Sequence, residues 1–224
     1  MKKQIAVIGL GRFGISLAKT LTNLGHEVLA IDMDEKKIQD ISADITHAVQ
    51  ADATSELVLK ELSIRSFDIA VVAIGSAIES SVLCTLLLKK LGVPYVIARA
   101  DTELHGSILQ KIGADTVIYP EQEMGTRLAQ VVTISNVSDY MSVTPGYGVA
   151  KLRAPDSLAG HKLSELGFGP KGKWEVMVVL IKRENEIIVN PGRGEVVNPG
   201  DILIVVGNDD KVEKLVAEAN KGAS

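Results

Sequence analysis

The chain has 224 residues, of which 46% are hydrophobic and 23% charged, with a formal net charge of -4. That is apolar material enough for one full domain and one small one, and it excludes a disordered chain. The acidic balance, with no Lys/Arg cluster to offset it, argues against DNA or RNA as a partner.

The chain opens on Met1-Lys2-Lys3-Gln4 and passes at once into an apolar run, leaving no room for the core of a signal peptide, so a cytoplasmic protein is expected. No apolar run approaches the about 20 residues that a bilayer span needs. From residue 4 to about 132 one unit repeats: a short β-branched run, a turn, and a segment with helical spacing. The runs 5–8, 27–31, 46–50, 69–74, 95–98 and 116–118 are expected as strands of a parallel sheet of the doubly wound, Rossmann type. Between them, Phe13, Leu17, Leu21 and Leu24 form one helical stripe that stops near Gly25, and Ile78, Val82 and Leu86 form another. Leu104, Ile108 and Ile112 form a third, and a last helix is expected over 121–134 with Met124, Leu128 and Val131 on one face. Cys84 lies in an apolar helical run and reads as a buried structural thiol.

Residues 135–148 are rich in Ser, Asn, Thr, Pro and Gly and read as a linker or loop, with a domain boundary near 138. Beyond it the pattern changes to strands and turns: 148–153, a helical stretch at 161–166, a strong strand at 175–182, a turn at Glu184-Asn185, then 187–189, 202–206 and a closing helix at 209–219. A smaller α+β domain over 139–224 follows the 1–138 Rossmann-type domain.

Chemistry concentrates at the carboxyl ends of the first strands. The first strand runs into Gly9-Leu10-Gly11-Arg12-Phe13-Gly14 and a helix follows directly. In that setting Gly9 serves the tight turn, Gly11 lets backbone approach a phosphate, and Gly14 allows close helix packing. The helix start points amide groups and its positive dipole end at the phosphates. Asp32 closes the second strand, eighteen residues past Gly14, where a carboxylate accepts ribose hydroxyls and repels a 2′-phosphate, so NADP is disfavoured. Asp34 is the better N-cap for the helix after it. Asp52-Ala53-Thr54 and Ala73-Ile74-Gly75 close the third and fourth strands with small residues that leave room for nucleotide. Asp52 could contact the adenine side, or Thr54 or Ser55 could cap the next helix. Arg12 and Arg99 are cations beside this edge, suited to phosphate oxygens. His26, His47, His105 and His161 are scattered, and no set of acid–base or metal-ligating residues suggests an enzyme.

These residues carry a resemblance. The glycine run, Glu27-Val28-Leu29-Ala30-Ile31-Asp32, Ala51-Asp52-Ala53-Thr54, Val71-Val72-Ala73-Ile74-Gly75, Lys111-Ile112-Gly113-Ala114-Asp115 and Pro120-Glu121 together resemble the RCK (KTN) family, in particular the KtrA and KtrC type of gating subunit of bacterial potassium uptake systems. Leu158-Ala159-Gly160-His161-Lys162-Leu163 and Gly200-Asp201-Ile202-Leu203-Ile204-Val205-Val206-Gly207 resemble the family's C-terminal domain. The resemblance implies a regulator rather than an enzyme: a homo-oligomer, an octameric ring, docked beneath a potassium-translocating membrane subunit of the KtrB or TrkH type. It implies switching by ATP against ADP, with NAD(H) also able to occupy the site. By position it implies phosphates on Gly9, Gly11 and Gly14, ribose on Asp32, and Asp52 and Thr54 toward the adenosine. Arg12 is similar to the arginine that reaches a neighbouring subunit's terminal phosphate, and Glu121 to an acidic position associated with a divalent cation near the dimer interface.

Overall fold

A computed structural model describes residues 2–133, 137–169 and 172–221, and the β-branched runs become strands where their residues pack on both faces of a sheet. In the first unit, Met1–Gln122, strands β1 (Gln4–Ile8), β2 (Glu27–Asp32), β3 (His47–Gln50), β4 (Ile69–Val72), β5 (Tyr95–Arg99) and β6 (Thr116–Ile118) form one sheet in the order β3-β2-β1-β4-β5-β6. Every pair is parallel. Alternate residues feed opposite faces. Ile5, Val7, Val28 and Ala30 pack beneath α1 (Arg12–Asn23) and α2 (Glu35–Ile41). Ala6, Ile8, Leu29 and Ile31 share a core with Leu59 of α3 (Glu56–Glu61), Leu88 of α4 (Ile78–Lys90) and Leu109 of α5 (Glu103–Lys111). The strand order reverses between β1 and β4, which opens a crevice at their carboxyl ends.

Two apolar stripes face the other way from expectation. On α4, Ser81, Cys84, Thr85 and Leu88 are fully buried, while Ile78 and Leu86 are exposed. The buried set keeps the i, i+3, i+4, i+7 spacing, but small residues supply it because they let the helix lie close to the sheet, and the Thr85 hydroxyl is absorbed by the Ser81 carbonyl at 2.8 Å. Cys84 lies at the centre of this face, its thiol pushed up to about 12 by burial and then by Asp52. On α5, His105, Gly106 and Leu109 are buried, whereas Leu104 is 74% exposed. Gly106 leaves room for Tyr119, since a Cβ there would fall 1.8 Å from its hydroxyl and displace the ring. Leu24, read as the end of the α1 stripe, is likewise exposed.

The second unit is Glu123–Ser224. Helix α6 is described over Pro120–Thr133, and Ile134, the last residue of the expected span, lies outside the described residues. The segment read as a loop is instead a hairpin of β7 (Val137–Thr144) and β8 (Tyr147–Arg153), turning at Gly146 with φ +78°. Its polar residues face solvent from an edge strand, and Val137 and Tyr140 face the core. Strands β9 (Met177–Arg183), β10 (Glu186–Val189) and β11 (Ile202–Asn208) complete an antiparallel sheet in the order β10-β9-β11-β8-β7, closed by α7 (Asp209–Lys221) through Val212, Leu215 and Val216. The stretch 161–166 is not helical. It is a turn segment pinned by a bridge between Lys162 and Val196.

Tyr140 crosses the neighbouring strand over Gly148, where a Cβ would stand 2.2 Å from its hydroxyl, and it donates to Asp209 Oδ1 at 2.5 Å. Gly148→Ala is expected to displace the ring, break that bond and cost about 1–3 kcal/mol, measured by denaturant unfolding. Unchanged stability would show that Tyr140 is free to repack.

Candidate nucleotide site

The three glycines of the first turn differ in what they meet. Gly9 has φ +97°, and a Cβ there would lie 2.9 Å from Ile74 Cγ1 and 3.2 Å from the carbonyl carbon of Ala73. Gly14, in the first turn of α1, would place a Cβ 1.9 Å from the Gly9 carbonyl oxygen, so the loop and the helix touch only because both are bare backbone. Gly11 is the exception. A Cβ there would meet nothing within 4 Å, so the protein's own packing makes no demand for glycine at this position. Gly11 gives α1 no side-chain cap, and the first helical amide bond runs from Ile15 to the Gly11 carbonyl at 3.0 Å. The amides ahead of it, with the helix dipole behind them, form a donor-rich surface at the open side of the loop.

Beside it lies a cavity of about 180 Å³ at the carboxyl ends of β1, β2 and β3. Gly9, Asp32, Asp52, Ala53, Thr54 and Ile74, separated along the chain, come together in its wall. Ala73 is buried with its backbone close against Gly9, and Arg12 and Phe13 open α1 at the loop without lining the cavity. Asp32 is built in firmly: Oδ2 accepts the Leu10 amide at 2.6 Å and Oδ1 the Asp34 amide at 2.9 Å. Burial opposes its ionisation, but these amides and the Lys37 ammonium outweigh it and hold the carboxyl below its ordinary range. Asp34, not Asp32, caps α2, through Lys36 N at 2.9 Å. Asp52 is lowered by the Thr54 hydroxyl and amide, which it accepts at 2.6 and 2.9 Å, while Ser55 caps α3. The carboxylate and hydroxyl at 52 and 54 thus form a fixed polar corner rather than a helix cap.

Gly75 and Arg99 stand apart from this wall. The Arg99 guanidinium lies against Gly75, where a Cβ would fall 2.6 Å from Cζ, and donates to Glu121 Oε1 at 2.7 Å. Its Nε is buried without a partner. Arg99 holds Glu121, whose carboxylate shares a hollow with Asp101 and Glu103, and among the described residues of one chain no group of three His, Cys, Asp or Glu could hold a metal ion.

The wall also contains residues that the sequence did not single out: Met33, Ala77 and Ser80. The last two come from the start of α4, whose buried face is rich in small residues. Lys37, on α2, reaches Asp32. A cation one helical turn past a strand-end carboxylate was the only signal for it.

Residues 5–120 match the TrkA-N domain family and residues 150–220 the TrkA-C domain family. The chain belongs to the TrkA family. Among TrkA-family proteins it is 43% identical over 208 residues to Ktr system potassium uptake protein C of Bacillus subtilis (strain 168), covering 93% of each chain. It is 38% identical over 216 residues to Ktr system potassium uptake protein A of the same organism, covering 96% of each. In fold, the chain is similar to the GsuK channel bound to NAD, with a TM-score of 0.64 at 15% identity, covering 96% of this chain and 39% of that one. No helix among the described residues is long and apolar enough to cross a membrane.

Proposed function

We propose that this protein is the nucleotide-binding regulatory subunit of a potassium uptake system, peripheral to the inner face of the membrane, and that ATP, ADP or NAD(H) in the cavity biases it between two ring shapes. The observation that carries the reading is the pairing of a cavity walled by Asp32, Asp52, Thr54 and Ile74 with a glycine loop open at Gly11. In it, the α1 amides would hold phosphate, Asp32 the ribose, and the Asp52–Thr54 corner with Ile74 and Ser80 the adenosine. Arg12, exposed at the helix start, would reach a further phosphate, and Arg99 stands at the neighbouring strand end. Relatives named as potassium uptake proteins support the system, and a similar fold bound to NAD supports the ligand class.

The cavity suits a switch better than a catalyst. Both carboxylates in its wall are engaged by local donors, Asp32 by the Leu10 and Asp34 amides and Lys37, and Asp52 by Thr54. A ligand shifts a conformational equilibrium only by its differential affinity for the two states. The surface to carry such a shift is present as exposed apolar faces: Ile78 and Leu86 on α4, Leu104 on α5, and Met124, Leu128 and Val132 on α6. Further copies of the chain in a closed ring, an octamer, would cover them, and a membrane subunit of the KtrB or TrkH type would be its partner. Asp32→Ala is expected to weaken ADP and ATP by at least about tenfold, or about 1.4 kcal/mol, by calorimetry on the full chain. Unchanged affinity for both would remove Asp32 from the ribose.

A further inference from the structure

A carboxylate at the end of the second strand is ordinarily the element that rejects a 2′-phosphate. In this chain that carboxylate is not alone. Lys37, on the first turn of α2, places Nζ 3.1 Å from Oδ2 and 3.3 Å from Oδ1 of Asp32, while the Leu10 and Asp34 amides bond the same two oxygens. A carboxylate offers about four acceptor positions, and on this count all are in use. A ribose hydroxyl can reach Asp32 only where Lys37 yields a position, and the ammonium then stands beside the ribose. The Lys37 side chain is 40% exposed against 11% for Asp32, so it has the freedom to turn. The corner carries one negative and one positive charge rather than a bare negative one. Of the neighbouring carboxylates, Asp34 caps α2 and Asp52, in the same cavity wall, accepts the Thr54 amide and hydroxyl.

We propose that the ribose end of this cavity accepts adenosine nucleotides carrying a 2′-phosphate as well as those with a free 2′-hydroxyl, and that Lys37 is the residue that sets the ratio. The proposal rests on the nucleotide reading above and revises the expectation that Asp32 disfavours NADP. With a 2′-hydroxyl nucleotide, Lys37 stays on Asp32 or yields one oxygen to the ribose. With a 2′-phosphate, the ammonium turns from the carboxylate to the phosphate and forms a charge-assisted bond that offsets the repulsion from Asp32.

The test is calorimetric titration of the full chain with NAD+, NADP+ and ADP, in the wild type and in Lys37→Ala and Lys37→Arg. The wild type is expected to bind NAD+ and NADP+ within about tenfold of each other, and Lys37→Ala to weaken NADP+ by at least about tenfold relative to NAD+. Lys37→Arg is expected to restore the ratio, which a purely structural role for Lys37 would not do. ADP binding together with rejection of NADP+ by the wild type, or a ratio indifferent to Lys37→Ala, overturns the proposal and leaves the nucleotide reading standing. No binding of ADP, NAD+ or NADP+ by the wild type overturns both.

Discussion

Gly14→Ala is expected to abolish measurable nucleotide binding and to lower the stability of the first unit by about 2–3 kcal/mol, whereas Gly11→Ala is expected to lose nucleotide affinity at nearly unchanged stability. The two substitutions add the same methyl group three residues apart, and the difference lies in what it meets. At position 14 it would stand 1.9 Å from the Gly9 carbonyl oxygen and 3.3 Å from Ala73 Cβ, so either the loop or α1 must move, and the donor surface moves with it. At position 11 it meets no protein atom within 4 Å. The folded chain without ligand tolerates it, and only a phosphate seated on the backbone would be displaced. Denaturant unfolding separates the two effects on stability, and calorimetry with ADP reads affinity. If Gly11→Ala binds ADP as the wild type does, no phosphate approaches the loop there.

Arg183→Ala is expected to destabilise the second unit by about 3–5 kcal/mol, because it leaves a buried carboxylate without its partner. Arg183 Nε and Nη2 donate to the two oxygens of Asp201 at 3.1 and 2.9 Å, Nη1 to Glu195 at 3.2 Å, and Nη2 also to the Val196 carbonyl at 2.8 Å. Asp201 is 1% exposed, and besides Arg183 it accepts the Asn198 amide at 2.9 Å. This fork ties β9 to the turn that precedes β11, and the two Asp201 bonds hold the guanidinium in a plane that lysine would not reproduce. The sequence contains a single tryptophan, Trp174, buried in this unit, so its fluorescence reports the unfolding of the second unit specifically. Arg183→Ala combined with Asp201→Asn is expected to recover part of the loss, since the uncompensated charge is then gone. A loss under about 1 kcal/mol for Arg183→Ala alone would show the pair to be solvated in solution.

The parallel sheet was legible because its strands are short runs of Ile, Val and Ala buried on both faces, a pattern with no helical alternative at that length. The glycine loop was legible for a related reason: its spacing and its place after the first strand follow from steric demands, two of which the geometry at Gly9 and Gly14 displays. Amphipathic faces were harder. On α4 the apolar residues Ile78 and Leu86 point outward and Ser81 and Thr85 inward, because closeness to the sheet outweighs side-chain polarity once the hydroxyl of Thr85 has a local acceptor. The β7–β8 hairpin was hidden by composition, since an edge strand with one wet face tolerates the Ser, Asp and Thr that also mark loops. At the cavity, residues fixed by strand ends could be read, while Ser80 and Lys37 depend on how helices lean over the crevice, which periodicity does not specify.

The most direct measurement is a crystal structure of the full chain with ADP. The diphosphate is expected against the Gly11 backbone at the start of α1, the ribose at Asp32, and the adenine between Ile74 and the Asp52–Thr54 corner. ADP bound elsewhere at saturating concentration, with this cavity empty, would contradict that assignment.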